Sequence, residues 1–166
     1  MIEMKIESVR VSLMSTNQVV ILKERGGERR LPIFIGKAEG DAISFHLNGV
    51  TVPRPLTHDL TANILSRLGA RLSYVLINEL RNQHFYAIVV MHLGDDEEQE
   101  ITLDARPSDA LAIAVRLGCP IFVEEQVLDE AGIEPVEEPN ASGKEDLGAF
   151  SDFISSLDLS DLDKNK

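Results

Sequence analysis

The chain has 166 residues, of which 43% are hydrophobic and 27% are charged, a composition typical of one globular domain and not of a disordered or fibrous protein. Cys119 is the only cysteine, which excludes an intrachain disulfide, and no apolar run reaches the length of a membrane span. The formal charge of −12 disfavours nucleic-acid binding, but residues 133–166 and 95–100 supply 11 of these 12 negative charges, so the rest of the chain can still carry a phosphate-binding surface.

The beginning of the chain shows β-type patterns. Apolar and polar residues alternate over residues 2–13, and a β-rich run follows over residues 17–23, so the two segments predict a hairpin. A glycine-containing turn leads to a short strand at residues 31–35. The apolar residues of 37–47 fall on one helix face, and Asn48-Gly49 supplies a left-handed stop, which predicts the first helix.

Residues 57–123 mix helices and strands. A helix is predicted at residues 57–68, with an apolar face made by Leu60, Ile64, Leu65 and Leu68. The remaining predicted elements are strands at 71–80, 84–93 and 100–104, a third helix at 108–117 and a strand at 121–123. Because strands occur in runs, the order βββααβββαβ predicts an α+β fold with a mixed, mainly antiparallel sheet and three packed helices.

The composition changes near the C-terminus. Residues 133–145 are rich in Glu, Pro and Gly and predict an acidic linker after a domain that spans residues 1–132. Residues 146–166 follow as an acidic segment. Within it, Leu147, Phe150, Ile154 and Leu157 recur at helical spacing, so we predict a C-terminal amphipathic helix and tail.

Two segments place an Arg-Pro pair, a hydroxyl residue and an acid at the predicted start of a helix. They are RPLTHD at residues 54–59 and RPSD at residues 106–109. The free backbone N–H groups and the dipole at a helix N-terminus favour an anion, and a guanidinium grips phosphate bidentately. The predicted contacts to substrate phosphate are Arg54, Thr57, Arg106, Ser108 and Arg116.

Acids and a histidine in these segments indicate hydrolytic chemistry. Carboxylates bind divalent cations, which activate water and neutralise a phosphodiester, and His58 has a side chain suited to general base catalysis. The predicted catalytic residues are His58, Asp59, Asp104 and Asp109. The candidate ligands of a Mg²⁺ or Mn²⁺ ion are Glu39, Asp59, Asp104 and Asp109.

A structural explanation of the same residues stays open. Thr57 and Ser108 are suited to capping helices, and the arginines can pair with first-turn acids to hold loops. The chain contains no HExxH, EF-hand or P-loop pattern that would specify metal ligands. A non-catalytic, oligomeric protein that binds nucleic acid or another anionic ligand is therefore the second hypothesis.

Three ordered segments resemble a known family. LPIFIGKAEGDAI (31–43), RPLTHDL (54–60) and DARPSDALAIAVR (104–116) are similar to the bifunctional nuclease domain family, and the resemblance covers roughly residues 1–132. It implies a compact α+β domain that forms dimers or larger homo-oligomers and hydrolyses DNA and RNA with the help of a metal. The expected partners are thus DNA and RNA as substrates and further copies of the chain, without a membrane. Because the N-terminal MIEMKIESV is acidic where a signal peptide is basic, we expect a cytoplasmic protein.

Overall fold

The computed structural model of the chain describes residues 1–11, 17–94 and 100–134. Its elements in chain order are β1 (Ile2–Val11), β2 (Gln18–Glu24), β3 (Arg30–Ile35), α1 (Lys37–Leu47), α2 (Thr57–Arg67), β4 (Ala70–Arg81), β5 (His84–Leu93), β6 (Glu100–Ala105), α3 (Pro107–Leu117), β7 (Ile121–Val123) and α4 (Glu125–Ala131). The predicted α+β class is confirmed. Among these residues no helix is long and apolar enough to cross a bilayer.

The predicted number of three packed helices is wrong, because the described residues form a fourth, α4. This helix has only seven residues, and its buried apolar side chains are Val127 and Leu128. Two apolar positions in seven residues do not establish a helical period, so the sequence pattern could not separate α4 from the acidic segment that follows it. Ile133, the first residue of the predicted linker, forms an isolated antiparallel bridge with Arg30. Residues 135–145 of that linker and the predicted helix at 146–157 lie outside the described residues, so the domain boundaries stay predictions.

The seven strands form one sheet in the order β3-β2-β1-β7-β4-β5-β6. Two antiparallel three-stranded units, β1–β3 and β4–β6, flank the short strand β7. β7 is antiparallel to β1 and parallel to β4, so the sheet is mixed and mainly antiparallel, as predicted. The return of the chain through α3 places β7 between the two units, which joins them into one continuous sheet.

The hydrophobic core lies between one sheet face and the helices. Alternate residues of the central strands, such as Val75 and Ile77 in β4, are completely buried, and so are Ile43 of α1 and Leu111 of α3. Alternation along a strand puts these side chains on a single face, where they pack with the apolar stripes of the helices. The sheet therefore supports α1, α2 and α3, whose first turns carry the acids and the histidine described below.

The predicted apolar stripe of α2 is mostly exposed. Leu60, Ile64 and Leu68 are 56%, 48% and 67% exposed, whereas Ala62 is buried and Leu65 packs against the core. The first-turn residues His58 and Asp59 face α3, where they contact charged side chains. Helical spacing identifies residues that share a face, but it does not determine which face is turned toward the protein.

Both helix starts differ from the capping alternative. Thr57 is the first residue of α2, whose N-cap is Leu56. The N-cap of α3 is Arg106, and neither N-cap side chain makes a capping hydrogen bond to its helix. Ser108 is the second residue of α3, behind Pro107. Thr57 and Ser108 are therefore not N-caps.

Candidate functional site

The first turns of α2 and α3 meet through a histidine and an acid. His58 Nε2 lies 3.0 Å from Asp109 Oδ1, and the His58 side chain is only 12% exposed. A carboxylate only accepts hydrogen bonds, so Nε2 carries the proton and Nδ1 is the acceptor of the neutral ring. The structure thus joins the two Arg-Pro segments through residues that the sequence placed 51 positions apart.

Arg106 connects this pair to α1. Its Nε donates to Asp109 Oδ2 at 2.7 Å, and its Nη2 donates to Asp109 Oδ1 at 3.1 Å and to Glu39 Oε1 at 2.9 Å. The guanidinium side chain nevertheless remains 67% exposed. We call Glu39, His58, Arg106 and Asp109 the charged cluster; it combines one exposed cation with two partly buried acids and a histidine.

The protonation state of Asp109 follows from its surroundings. Burial raises the pKa of the carboxyl, but hydrogen bonds from Arg106 and His58 outweigh burial and hold the pKa below its ordinary value. The same ion pair raises the pKa of Arg106, with Asp109 the larger cause and Glu39 the smaller. Asp109 is therefore a carboxylate at neutral pH, able to orient His58 and to stabilise its protonated form.

Asp59 and Arg116 form a second pair, separate from the charged cluster. Arg116 Nε donates to Asp59 Oδ1 at 2.6 Å, Nη1 to Ala112 O at 2.8 Å and Nη2 to Ala42 O at 3.1 Å. The Arg116 side chain is only 5% exposed. The backbone N–H of Leu56 is the largest cause that lowers the pKa of Asp59, and Arg116 lowers it further against the opposing effect of burial. The pair ties α1, α2 and α3 together.

The remaining predicted site residues lie outside both groups. Arg54 and Thr57 are exposed, and within the described part of the chain Arg54 has no hydrogen bond or ion pair. Asp104 is exposed on the edge strand β6, opposite Ile88 of β5. Ser108 is 6% exposed and makes no hydrogen bond through its side chain with any described residue.

The carboxylates of the charged cluster are its candidate ligands for a divalent cation. Within residues 1–11, 17–94 and 100–134, no group of three or more His, Cys, Asp and Glu side chains is arranged to hold a metal ion. Glu39 and Asp109 both accept a hydrogen bond from one Arg106 nitrogen, whose guanidinium offsets one of their two negative charges. Mg²⁺ is commonly bound by one or two carboxylates and completes its shell with water and substrate phosphate. Glu39 and Asp109 supply two carboxylates, and the described residues do not form an all-protein metal cage.

The structure has a cleft beside Arg106 that no sequence motif indicated. It has a volume of about 280 Å³ and is bordered by the end of β3, the β4–β5 turn and the start of α3. Phe34 and Phe85 line it together with Ser108. Their positions in the sequence carry no common motif, so only the curvature of the sheet reveals that they are neighbours.

Known proteins resemble most of this chain. Its residues 20–136 match the bifunctional nuclease domain, which is more than half of the chain. The chain belongs to the bifunctional nuclease domain family. The resemblance of its three ordered segments to this family is therefore confirmed, and the matched part of the bifunctional nuclease domain contains the whole charged cluster.

Relatives of this bifunctional nuclease domain differ in length. An uncharacterized protein of Mycobacterium tuberculosis is 39% identical over 165 residues, which cover 96% of this chain and 97% of that protein. Bifunctional nuclease 1 of Oryza sativa subsp. japonica is 28% identical over 119 residues, which cover 72% of this chain but 36% of the rice protein. Bifunctional nuclease 2 of Arabidopsis thaliana is 23% identical over the same length and likewise matched over 36% of its chain. The plant proteins thus share the domain and extend well beyond it.

Proposed function

We propose that the protein is a nuclease that hydrolyses phosphodiester bonds of DNA and RNA, and that the charged cluster is its catalytic site. The observation that carries the proposal is the contact between His58 and Asp109, with the exposed guanidinium of Arg106 bonded to the same carboxylate. A base oriented by an acid, next to an available cation, is an arrangement suited to phosphoryl transfer. The family membership supports a nuclease-type activity for the domain that contains these residues.

His58 is the proposed general base. Its Nε2 is bound to Asp109, which leaves Nδ1 to take a proton from a water molecule as the water oxygen attacks phosphorus. The bond between phosphorus and the leaving sugar oxygen then breaks, that oxygen takes a proton from solvent water, and the protonated imidazole afterwards loses its proton to solvent. Asp109 fixes the tautomer of the ring and stabilises its positive charge, as an acid does in other base–acid pairs.

Arg106 is the proposed phosphate ligand. Its side chain is 67% exposed, and its Nη2 divides its hydrogen bonds between Glu39 and Asp109. A guanidinium stabilises the negative charge that develops on the equatorial oxygens of the transition state. Arg116, whose nitrogens all donate to protein oxygens, is instead a positioning residue that holds α2 and α3 in place.

A divalent cation is part of this proposal. Glu39 and Asp109 would hold Mg²⁺ or Mn²⁺ together with the substrate phosphate, and the ion would act as a Lewis acid on the phosphoryl group. Asp59 and Asp109 each have both carboxylate oxygens bound within the protein, so Asp59 is the weaker ligand candidate only because it lies outside the charged cluster.

Cleavage of labelled single-stranded DNA and RNA, with Mg²⁺ or Mn²⁺ present, tests the catalytic assignment. Asp109→Asn and His58→Gln should each lower the rate by about 10²- to 10⁴-fold, the usual contribution of general base catalysis. Asp129→Asn is the matched control, because Asp129 is a 64% exposed surface acid of α4 that pairs with Arg29. Circular dichroism and melting temperature establish that all three variants are folded. Wild-type cleavage rates in folded Asp109→Asn would refute the proposal.

The second candidate function is a non-catalytic, oligomeric binding protein. The buried pair between Arg116 and Asp59 favours it, since here at least the charged motif residues connect helices. If His58→Gln and Asp109→Asn bind oligonucleotides and show no change in a cleavage rate that is already at background, this candidate replaces the first. Light scattering during gel filtration determines whether the protein is a homo-oligomer, which stays a prediction, as does its cytoplasmic location.

A further inference from the structure

The cleft beside Arg106 brings distant parts of the sheet together. β3 is one edge of the sheet and β5 is next to the other edge, yet Phe34 of β3 and Phe85 of β5 line the same cavity of about 280 Å³. Residues from both ends of the strand order can meet only because the sheet is strongly curled. The cleft opens beside the exposed guanidinium of the charged cluster, since Arg106 is also part of its lining.

The cleft is bordered by an exposed aromatic residue. Phe34 is 69% exposed, although it lies on a strand whose neighbours Ile33 and Ile35 are buried in the core. An exposed aromatic ring in a concave site is a common feature of ligand recognition, because burying a large planar apolar side chain on binding is strongly favourable. The size of the cleft is at the lower end of the range for ligand sites, so it suits one planar group and not an extended molecule.

A serine hydroxyl also borders the cleft. Ser108 lines the cleft and is 6% exposed, and its side chain forms no hydrogen bond with the described residues. Its oxygen is not among the buried side-chain atoms that lack a partner, so solvent reaches it. At the start of α3, Pro107 has no N–H and the Asp109 N–H donates to the Arg106 carbonyl. The Ser108 hydroxyl is the side-chain group at this helix start that can meet a polar atom of a ligand.

The turn between β4 and β5 presents a further acceptor. Asn82 and Gln83 both have positive φ angles, of 51° and 64°, as in the tight turns that join hairpin strands. This turn places the carbonyl of Asn82 2.7 Å from Nδ1 of His84, which lines the cleft. A carbonyl only accepts, so Nδ1 carries the proton and Nε2 of the neutral ring remains free to accept a hydrogen bond.

We propose that this cleft is a nucleobase subsite, in which one base of a single-stranded DNA or RNA stacks on Phe34 while the adjoining phosphate meets Arg106. The proposal rests on the nuclease function proposed above and names the part of the substrate that the site recognises. A planar aromatic surface, polar groups at its border and a neighbouring guanidinium together match a nucleotide. A base can enter the cleft only when it is unpaired, so the subsite selects single strands over duplexes.

Binding measurements test the subsite separately from catalysis. The fluorescence anisotropy of a labelled 12-nucleotide deoxythymidylate strand reports its affinity, and an abasic strand with the same phosphates removes the stacking group. EDTA in the buffer prevents cleavage during the measurement. Phe34→Ala should weaken binding of the thymidylate strand by about 5- to 150-fold, the range for loss of one stacked base, and leave the abasic strand unaffected.

Two further variants make the comparison specific. Phe45→Ala removes a phenylalanine of α1 that is 37% exposed and lies outside the cleft, and it should bind both strands like the wild type. Phe34→Trp retains a stacking surface and should restore tight binding of the thymidylate strand. Wild-type affinity of a folded Phe34→Ala variant, or an equal loss for the abasic strand, would overturn the subsite. Base-dependent binding without any cleavage by the wild type would refute the nuclease proposal and leave the subsite standing.

Discussion

Arg116 provides the sharpest test of how the candidate site is held in place. Replacing it with methionine keeps a long apolar stem but removes the guanidinium that reaches Asp59 of α2 and the carbonyl oxygen of Ala42 in α1. We expect the Arg116→Met variant to fold with a markedly lower free energy of unfolding. The physical reason is that the carboxylate of Asp59 loses its cation while the side chain stays mostly enclosed, at 28% exposure.

The magnitude follows from the bonds that are lost. Removing one partner of a fully buried ion pair costs about 3–5 kcal/mol, because the other charge remains unpaired. Water reaches part of Asp59, and its second oxygen keeps the hydrogen bond from the Leu56 N–H, so the lower end of that range applies. We expect a loss of about 3 kcal/mol, which corresponds to a fall in melting temperature of about 6–12 °C for a protein of this size.

Urea denaturation measures this loss, provided that the dependence on denaturant concentration, the m value, is unchanged. Arg25→Met is the matched control, since Arg25 forms an ion pair with Glu3 at 3.1 Å in which the side chains are 66% and 41% exposed. Such a surface pair contributes at most about 1 kcal/mol. If Arg116→Met loses no more stability than Arg25→Met, the reasoning that the buried pair holds the three helices together is wrong.

Two other substitutions test local interactions. Asp59→Asn should destabilise the protein at pH 6.5, but its difference in unfolding free energy from the wild type should shrink below about pH 4. Folding lowers the pKa of Asp59. The stabilisation by its carboxylate is therefore complete above the pKa of the unfolded chain and is lost as the pH falls through the pKa of the folded protein. Gly40→Ala should cost about 1–2 kcal/mol in urea denaturation despite the better helix propensity of alanine, because the added Cβ would lie 2.7 Å from Cδ and 3.0 Å from Cβ of the buried Gln18.

Each of these expectations has an outcome that would contradict it. A stability difference between Asp59→Asn and the wild type that stays constant from pH 6.5 to pH 3 would show that the carboxylate gains nothing from its partners. For the glycine, Gly26→Ala is the control, because a Cβ there would meet no atom within 4 Å. Gly40→Ala that is as stable as Gly26→Ala would show that α1 does not pack as closely on Gln18 as described.

Local patterns predicted most of the elements, since the period of apolar residues and the stop signals act over a few neighbouring positions. The first helix was predicted at residues 37–47 and is observed as Lys37–Leu47, and the hairpin strand at His84–Leu93 is likewise as predicted. Failures occurred where a partner distant in the sequence decides the outcome. Ile64 satisfies the helical period of α2 and is still 48% exposed, while His58 and Asp59 of the first turn contact α3.

The candidate site shows the same division. The motifs named Glu39, His58, Arg106 and Asp109, and the structure brings these four together. The sequence grouped Arg116 with the predicted phosphate contacts, whereas the structure pairs it with Asp59. Spacing along one helix reports which side chains share a face, but the partner on another helix depends on packing.

The sequence by itself determined the fold class, the family and the residues from which a site can be made, because these depend on composition, periodicity and motifs within short segments. Only the tertiary structure decided which charges pair, which of them stay exposed and where an aromatic cleft lies beside them. Those properties depend on the curl of the sheet and the rotation of the helices, which are set by the packing of the whole domain. Phe34 illustrates the difference, since its strand pattern was evident while its place in one cleft with Ser108 was not.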